Sequence, residues 1–267
     1  MKFSVLMSLY IKENPQFLHE CLESLRAQTL PADEIVLMFD GAVTPELESA
    51  VQNFAEFLPL KLVKLPVNQG LGKALNEGLL HCANEWVFRM DTDDICDPQR
   101  FEKQVNFIKQ NPETIIFGGQ IAEFGENMQD IVSYRNVPTQ PKEIVEFTKT
   151  RSPFNHMTVA YQKSAVLAAG GYQDIQEDYY LWINLVAKYP QNVANLPDIL
   201  VYARVGNGMV SRRRGLAQAK CEWNLFKLKR NVKLQSTISG FIVFLLRVLP
   251  RLLPVSLLKI IYKFLRK

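Results

Sequence analysis

The sequence predicts an α/β fold with a mostly parallel sheet covered by helices on both faces. Two observations predict it. Short apolar runs of strand length, Phe3–Leu9, Glu34–Phe39, 60–64 and 86–90, alternate with segments whose apolar residues recur at helical period. Strands that alternate with helices in this way pair in parallel and bury both faces, so they read as nearly continuous apolar runs. Length and composition agree. The chain has 267 residues, 48% of them hydrophobic and 22% charged, enough for one large domain or one domain with appendages.

Taken in order, Phe3–Leu9 is a buried strand, and Asn14 caps a helix with Pro15 at its first position. That helix is expected to bury Phe17, Leu18, Cys21, Leu22 and Leu25 on one face. Glu34–Phe39 is the second strand and ends at Asp40-Gly41. A helix over 45–56, a strand at 60–64, a helix over 71–82 and a strand at 86–90 follow. Beyond an acidic loop come a helix over 98–110 and a strand at 114–117 that ends in Gly118-Gly119. The stretch 120–160 is less regular and predicts short strands with a helix near 141–149. A strand at 157–161, a short helix at 163–168 stopped by Gly170-Gly171, and a helix at 178–188 come next. A strand near 199–204 precedes a basic helix over 214–230.

Charge divides the chain. Residues 1–210 carry 17 Lys and Arg against 26 Asp and Glu, a net of −9, whereas residues 211–267 carry 14 against 1, a net of +13. A body and a basic tail with different partners are implied. The cysteines Cys21, Cys82, Cys96 and Cys221 are scattered, and with His19, His81 and His156 they offer no zinc spacing. The first strand begins at once, with no secretory signal, so a reducing, cytosolic setting is expected.

Three carboxylates within four residues, Asp91-Thr92-Asp93-Asp94, follow the strand Trp86-Val87-Phe88-Arg89. Such a cluster stays ionised only beside a cation or strong donors. One reading is a metal–diphosphate site, because Mg²⁺ and Mn²⁺ bind one or two carboxylates together with substrate phosphates. The other is an acidic loop capping the helix that begins near Pro98. Asp40, on the same carboxyl edge of the sheet, is a turn residue or a nucleotide contact. The turn Asn68-Gln69-Gly70-Leu71-Gly72-Lys73 feeds a helix whose free N–H groups favour anions, and Lys73 is a solvated lysine or a phosphate contact. Glu177 and Asp178 complement a helix N-terminus, Trp182 reads as core, and His156 as structural. No P-loop, Gly-x-Ser-x-Gly or His-Glu-x-x-His is present in the sequence.

In order, these segments resemble the family 2 glycosyltransferases, inverting enzymes with the GT-A fold, from about residue 3 to residue 215. The likeness rests on the strand at 4–10, Leu25-Arg26-Ala27-Gln28-Thr29, the strand ending Asp40-Gly41, Asn68-Gln69-Gly70-Leu71 and Ala74-Leu75-Asn76-Glu77-Gly78. It continues through Arg89-Met90-Asp91-Thr92-Asp93-Asp94 and Gly170-Gly171-Tyr172 followed by Glu177-Asp178. The resemblance implies a Rossmann-like nucleotide-binding half and an acceptor half. It implies that Asp40 contacts the uracil of a UDP-sugar and that Asp91 and Asp93 touch the ribose and hold Mn²⁺ or Mg²⁺ against the diphosphate. Lys73, Asn76, Arg89 and Arg204 are implied as further nucleotide-sugar contacts. Asp178 matches the base that deprotonates the acceptor hydroxyl, with Glu177 beside it, and His156 and Trp182 fall on the acceptor side. The chain departs from the family after Tyr202-Ala203-Arg204-Val205, where Gly206-Asn207-Gly208 stands in place of a histidine that adds a metal ligand. Either the metal then has fewer protein ligands, or Arg204 and the Arg212-Arg213-Arg214 run share the diphosphate charge.

Two domains are expected: a GT-A domain over 1–215 and a helical tail over 216–267. The uncharged run 234–246 is interrupted by Arg247, Pro250, Arg251 and Pro254 before 255–258, shorter than the roughly 20 apolar residues of a spanning helix. Apolar residues interleaved with basic ones fit helices lying in a membrane interface, so the tail is expected on the inner face of the cell membrane. The alternative is a helical appendage packed on the catalytic domain or on a second copy of the chain. Nucleic acid is not an expected partner. The expected activity is transfer of a hexosyl or N-acetylhexosaminyl group from a UDP-sugar to a glycan or lipid-linked oligosaccharide in surface polysaccharide synthesis. Two other classes compete. A sugar nucleotidyltransferase calls for a Gly-rich phosphate loop after the first strand, where this chain has Tyr10-Ile11-Lys12-Glu13-Asn14-Pro15; the second competitor is a non-catalytic membrane scaffold.

Overall fold

The computed structural model describes residues 1–173, 176–206 and 216–251. The Arg212-Arg213-Arg214 run and the apolar segment 255–258 lie outside the described residues.

In chain order the first half is β1 (Phe3–Leu9), α1 (Pro15–Arg26), β2 (Glu34–Phe39), α2 (Pro45–Gln52), β3 (Leu60–Lys64), α3 (Leu71–His81) and β4 (Trp86–Arg89). Asn14 accepts a hydrogen bond from the Gln16 N–H with Pro15 at the helix start, and Thr44 caps α2 in the same way. The second half is β5 (Ile95–Cys96), α4 (Arg100–Gln110), β6 (Ile116–Phe124), β7 (Ile131–Arg135), α5 (Pro141–Thr148) and a 3-10 turn at His156–Thr158. It continues with β8 (Ala160–Gln162), α6 (Lys163–Ala168), α7 (Glu177–Lys188) and β9 (Val193–Arg204). Two C-terminal helices follow, α8 (Leu216–Asn231) and α9 (Thr237–Arg251).

The sheet runs β3-β2-β1-β4-β8-β6-β9-β5, with β7 beside β6. Its first four strands are parallel, as alternating strands and helices require. The other half is mixed rather than parallel: β8 lies antiparallel between β4 and β6, while β9 runs parallel to β6. Helices cover both faces. Val5, Met7, Leu9, Ile35 and Leu37 meet α1, α2 and α4 on one side; Leu6, Val36, Met38 and Val87 meet α3, α6 and α7 on the other.

Three boundaries depart from expectation. Strand β6 does not stop at Gly118-Gly119; a Cβ at Gly119 would lie 2.5 Å from Leu200 Cδ1, so the glycines admit close passage of β9. Strand β9 is correspondingly longer than the expected 199–204. The segment 157–159 is a turn leading into β8, because the Thr158 N–H closes on the Asn155 carbonyl at 2.9 Å. Phe17, expected in the core, is half-buried, and its ring carries the Arg204 guanidinium at 3.9 Å.

The tail also differs. The Thr237–Arg251 helix runs through Arg247, because that side chain turns inward to Glu222. Helix α8 packs through Leu225 and Leu228 on Tyr179 and Ile183 of α7. Among the described residues no helix is long and apolar enough to cross a membrane.

Candidate active site

The carboxyl ends of β1, β2 and β4 form one edge, and the acidic loop leaves it from β4. The loop is pinned from several directions. The Met90 N–H reaches the Leu6 carbonyl at 3.2 Å, Cys21 Sγ donates to the Asp91 carbonyl at 3.2 Å, and the Arg204 N–H donates to Asp94 Oδ1 at 2.8 Å. Strand β5, which periodicity does not reveal in two residues, pairs with Tyr202 and Val201 of β9 and holds the loop's exit. None of the three carboxylates caps α4, whose N-cap makes no side-chain bond. The capping reading of the loop is therefore set aside.

Asp91 is partly open, with 26% of its side chain exposed, and pairs with the buried guanidinium of Arg89. Arg89 thus sits beneath the loop and orients Asp91. Burial, then the neighbouring carboxylates of Asp91 and Glu13, pushes Asp93 up to about 7. Asp94 is enclosed and is raised well above the usual carboxylate range by burial, then by Asp91 and Asp93. Glu13, in the loop after β1, accepts from Thr92 Oγ1 at 3.1 Å, and burial raises it too. The sequence reading passed over Glu13; its place after the carboxyl end of β1, the criterion that selected Asp40 and Asp91, is the signal that finds it.

Arg204 is engaged inside this structure. Its guanidinium lies between the rings of Phe17 and Phe124, at 3.9 and 4.6 Å from their centroids, pairs with Glu20, and donates to the Asp93 carbonyl at 3.2 Å. Asp40, 3% exposed, accepts the Gln69 N–H at 2.7 Å and the Gly70 N–H at 3.0 Å, so it shapes the turn that starts α3. Lys73 stands exposed in the first turn of that helix. Both amide atoms of Asn76 are bonded to the backbone of Tyr172 at 2.8 Å, which staples α3 to the Gly170-Gly171 turn.

The N-terminus of α7 closes the site. Gly72 of α3 approaches Glu177 so closely that a Cβ would meet Glu177 Cβ at 3.2 Å. Asp178, beside it, is pushed up to about 6 by burial and then by Glu177. Burial, then the charge of Arg89, drives His156 down to about 3, so it is a neutral ring, 3.3 Å from the Tyr172 hydroxyl. The Tyr172 hydroxyl in turn donates to the Tyr161 hydroxyl at 3.2 Å, and burial raises the Tyr172 pKa. Trp182, expected on the acceptor side, is wholly buried among Phe154, His156, Tyr161 and Tyr172 and supports that wall from within.

The oxygen donors Asp91 and Asp93 suit a hard cation, but among the described residues no three His, Cys, Asp or Glu side chains gather to hold one unaided. The pair fits a cation that completes its shell with diphosphate oxygens and water. Chemically the arrangement offers an acidic, cation-seeking loop and a separate carboxylate of raised pKa at one sheet edge.

Comparison with known proteins agrees. The model of "Glycosyl transferase family 2" matches residues 4–172. A Haemophilus influenzae protein described as an uncharacterized glycosyltransferase is 72% identical over the full length of both chains. The amylovoran biosynthesis glycosyltransferase AmsE of Erwinia amylovora is 45% identical over 99% of each chain. The Escherichia coli UDP-Gal:alpha-D-GlcNAc-diphosphoundecaprenol beta-1,3-galactosyltransferase is 37% identical over 98% of this chain and 95% of its own. In fold, the chain resembles S. aureus TarS 1–349 in complex with UDP-GlcNAc, with a TM-score of 0.69, 21% identity, and coverage of 91% of this chain and 70% of that one. It also resembles the mannosyltransferase PcManGT of Pyrobaculum calidifontis in complex with GDP-Man and Mn²⁺, with a TM-score of 0.63, 18% identity, and coverage of 92% and 73%. The architecture is that of the GT-A glycosyltransferases, and neither the nucleotidyltransferase nor the scaffold reading is upheld. The chain belongs to glycosyl transferase family 2, and it is a glycosyltransferase.

Proposed function

We propose that this enzyme transfers a hexosyl group, galactose first among the candidates, from a UDP-sugar to a hydroxyl of a lipid-diphosphate-linked sugar during surface polysaccharide synthesis. The observation that carries the reading is the pairing of two carboxylate groups at one sheet edge: Asp91 and Asp93 in the loop after β4, and Asp178 at the start of α7. Two relatives with a named activity or pathway support the substrate class. Asp178 takes the acceptor proton while the acceptor oxygen bonds to the anomeric carbon and the bond from that carbon to the UDP oxygen breaks, with inversion. Asp91, oriented by Arg89, and Asp93, on the loop that Arg204 braces, would hold Mn²⁺ or Mg²⁺, which would supply positive charge against the diphosphate of departing UDP. Asp40 and Lys73 lie on the nucleotide side, and Asn76 fixes the turn between the two halves.

Residues 1–215 form the catalytic unit in this reading, and the tail from 216 rests on the cytoplasmic face of a membrane. Ile238, Ile242, Leu245, Leu246 and Leu249 are exposed along α9. Such an apolar stripe on a strongly basic segment suits an anionic lipid surface.

The test is UDP release from UDP-galactose with a short-chain GlcNAc-diphospholipid, with Mn²⁺ or with EDTA. Acceptor-dependent release that EDTA abolishes is expected. Release from UDP-GlcNAc instead would move the donor assignment, and full activity in EDTA would remove the metal.

A further inference from the structure

Helix α7 carries Asp178 in its first turn, and the next residue, Tyr179, is buried on the side facing the C-terminal helices. The Tyr179 hydroxyl donates to the Thr148 carbonyl at 2.7 Å, at the end of α5, and receives a bond from Lys229 Nζ of α8 at 3.2 Å. Lys229 is only 3% exposed; it also donates to the Lys149 carbonyl at 2.8 Å, and its ammonium lies 5.2 Å from the Tyr179 ring centroid. Behind it Glu222, 2% exposed, receives Arg247 Nε at 2.7 Å and Nη2 at 2.9 Å, and Arg247 Nη1 donates to the Thr150 carbonyl at 2.5 Å. The last turn of α5, the first turn of α7 and both tail helices are thereby joined by directional bonds.

Burying a lysine and a glutamate is costly, and apolar packing alone would hold two helices together at less cost. Leu225 and Leu228 already provide such packing against Tyr179 and Ile183. What the polar groups add is register: hydrogen bonds fix where the first turn of α7 sits along its axis. That turn has no side-chain cap of its own, since Gln176 stands at the N-cap with φ 46° and makes no capping bond.

We propose that Tyr179, held by Lys229 and backed by the Glu222–Arg247 pair, is a positioning residue for Asp178, so that the C-terminal helices brace the catalytic unit as well as serving any membrane attachment. The proposal rests on the reading of Asp178 as the base. A general base works only within hydrogen-bond reach of its proton, and a shift of about 1 Å costs on the order of 10²-fold in rate.

The test uses the full chain carrying Tyr179→Phe, which removes one oxygen, and Lys229→Met. UDP affinity is read by calorimetry, transfer from UDP-galactose to the short-chain GlcNAc-diphospholipid by UDP release, and backbone order by hydrogen exchange. Both variants should keep UDP affinity and the KM for UDP-galactose within about twofold, while kcat falls roughly tenfold or more. Amides of the first turn of α7 should exchange faster, with those of α3 unchanged. In an Asp178→Asn background Tyr179→Phe should cause no further loss, because no base remains to be positioned. Parental kcat in Tyr179→Phe, unchanged exchange in α7, or an equal loss in both backgrounds would overturn the proposal. If Asp178→Asn itself transfers at the parental rate, the base assignment falls, and this proposal with it. If Asp178→Asn is inactive and Tyr179→Phe is normal, only this proposal falls. Should Lys229→Met fail to fold, Tyr179→Phe decides alone.

Discussion

At the scale of single residues, the carboxylates differ because their surroundings differ. Asp91 pairs with Arg89, Asp93 and Asp94 share an enclosed loop, and Asp178 stands apart, pushed up to about 6 by burial and Glu177. A base must be ionised to accept a proton, so transfer should fall about tenfold per unit of pH below about 6, read as kcat against pH. The folded-state pKa of Asp178 lies above its unfolded value, so between about pH 4 and 6 the folded state binds more protons and stability declines as pH rises through that window. Asp178→Asn should therefore lower transfer by about two orders of magnitude or more, keep UDP affinity, and raise the melting temperature at pH 7. Glu177→Gln should lose less. A normal rate in Asp178→Asn with an inactive Glu177→Gln would exchange their roles. His156, neutral by burial, carries no charge to this step.

Elements place these residues, and a few backbone positions place the elements. Gly41 has φ +82°, and a Cβ there would lie 2.6 Å from the Asn68 backbone nitrogen. The loop after β2 and the turn before α3 touch at this point, and Asp40 binds the same turn through Gln69 and Gly70. Gly41→Ala meets backbone rather than a side chain that can swing away, in a left-handed conformation that non-glycine residues avoid. It should cost about 1–3 kcal/mol in a denaturant titration and weaken UDP binding by displacing Asp40. Unchanged stability would mean that the two loops separate freely.

Across the whole molecule, the two tail helices are joined to each other by the Glu222–Arg247 ion pair and to the body by Lys229 and Arg247, and they present apolar residues outward. Removing one partner of such a pair leaves the other charge unpaired, so Arg247→Ala should lower stability by about 3 kcal/mol. The outward face predicts flotation of the full chain with anionic liposomes, reduced at high salt as polybasic contacts are screened. Ile242→Glu with Leu246→Glu should abolish flotation while leaving UDP affinity unchanged, because both side chains are exposed and far in the chain from the acidic loop. Flotation that survives both substitutions would detach α9 from membrane binding.

The sequence by itself determined the parallel half of the sheet, its helices, the acidic loop and the family, because these depend on local period, caps and motifs a few residues long. Asn14-Pro15, Asp40-Gly41 and Asp91-Thr92-Asp93-Asp94 each state their part within a turn of chain. Only the tertiary structure decided what joins distant segments. Glu13 reaches Thr92, Arg204 lies between Phe17 and Phe124 and braces Asp93, Asn76 grips Tyr172, and Lys229 reaches Tyr179. Neither the two-residue β5 nor the passage of β6 through Gly118-Gly119 shows in a periodic signal, because β5 depends on β9 and the glycines on β9 together with Asn155 and Thr158. Hydrogen bonds and burial between residues some 50 to 110 positions apart leave no local pattern, yet they fix the surroundings of Asp94 and of Tyr179.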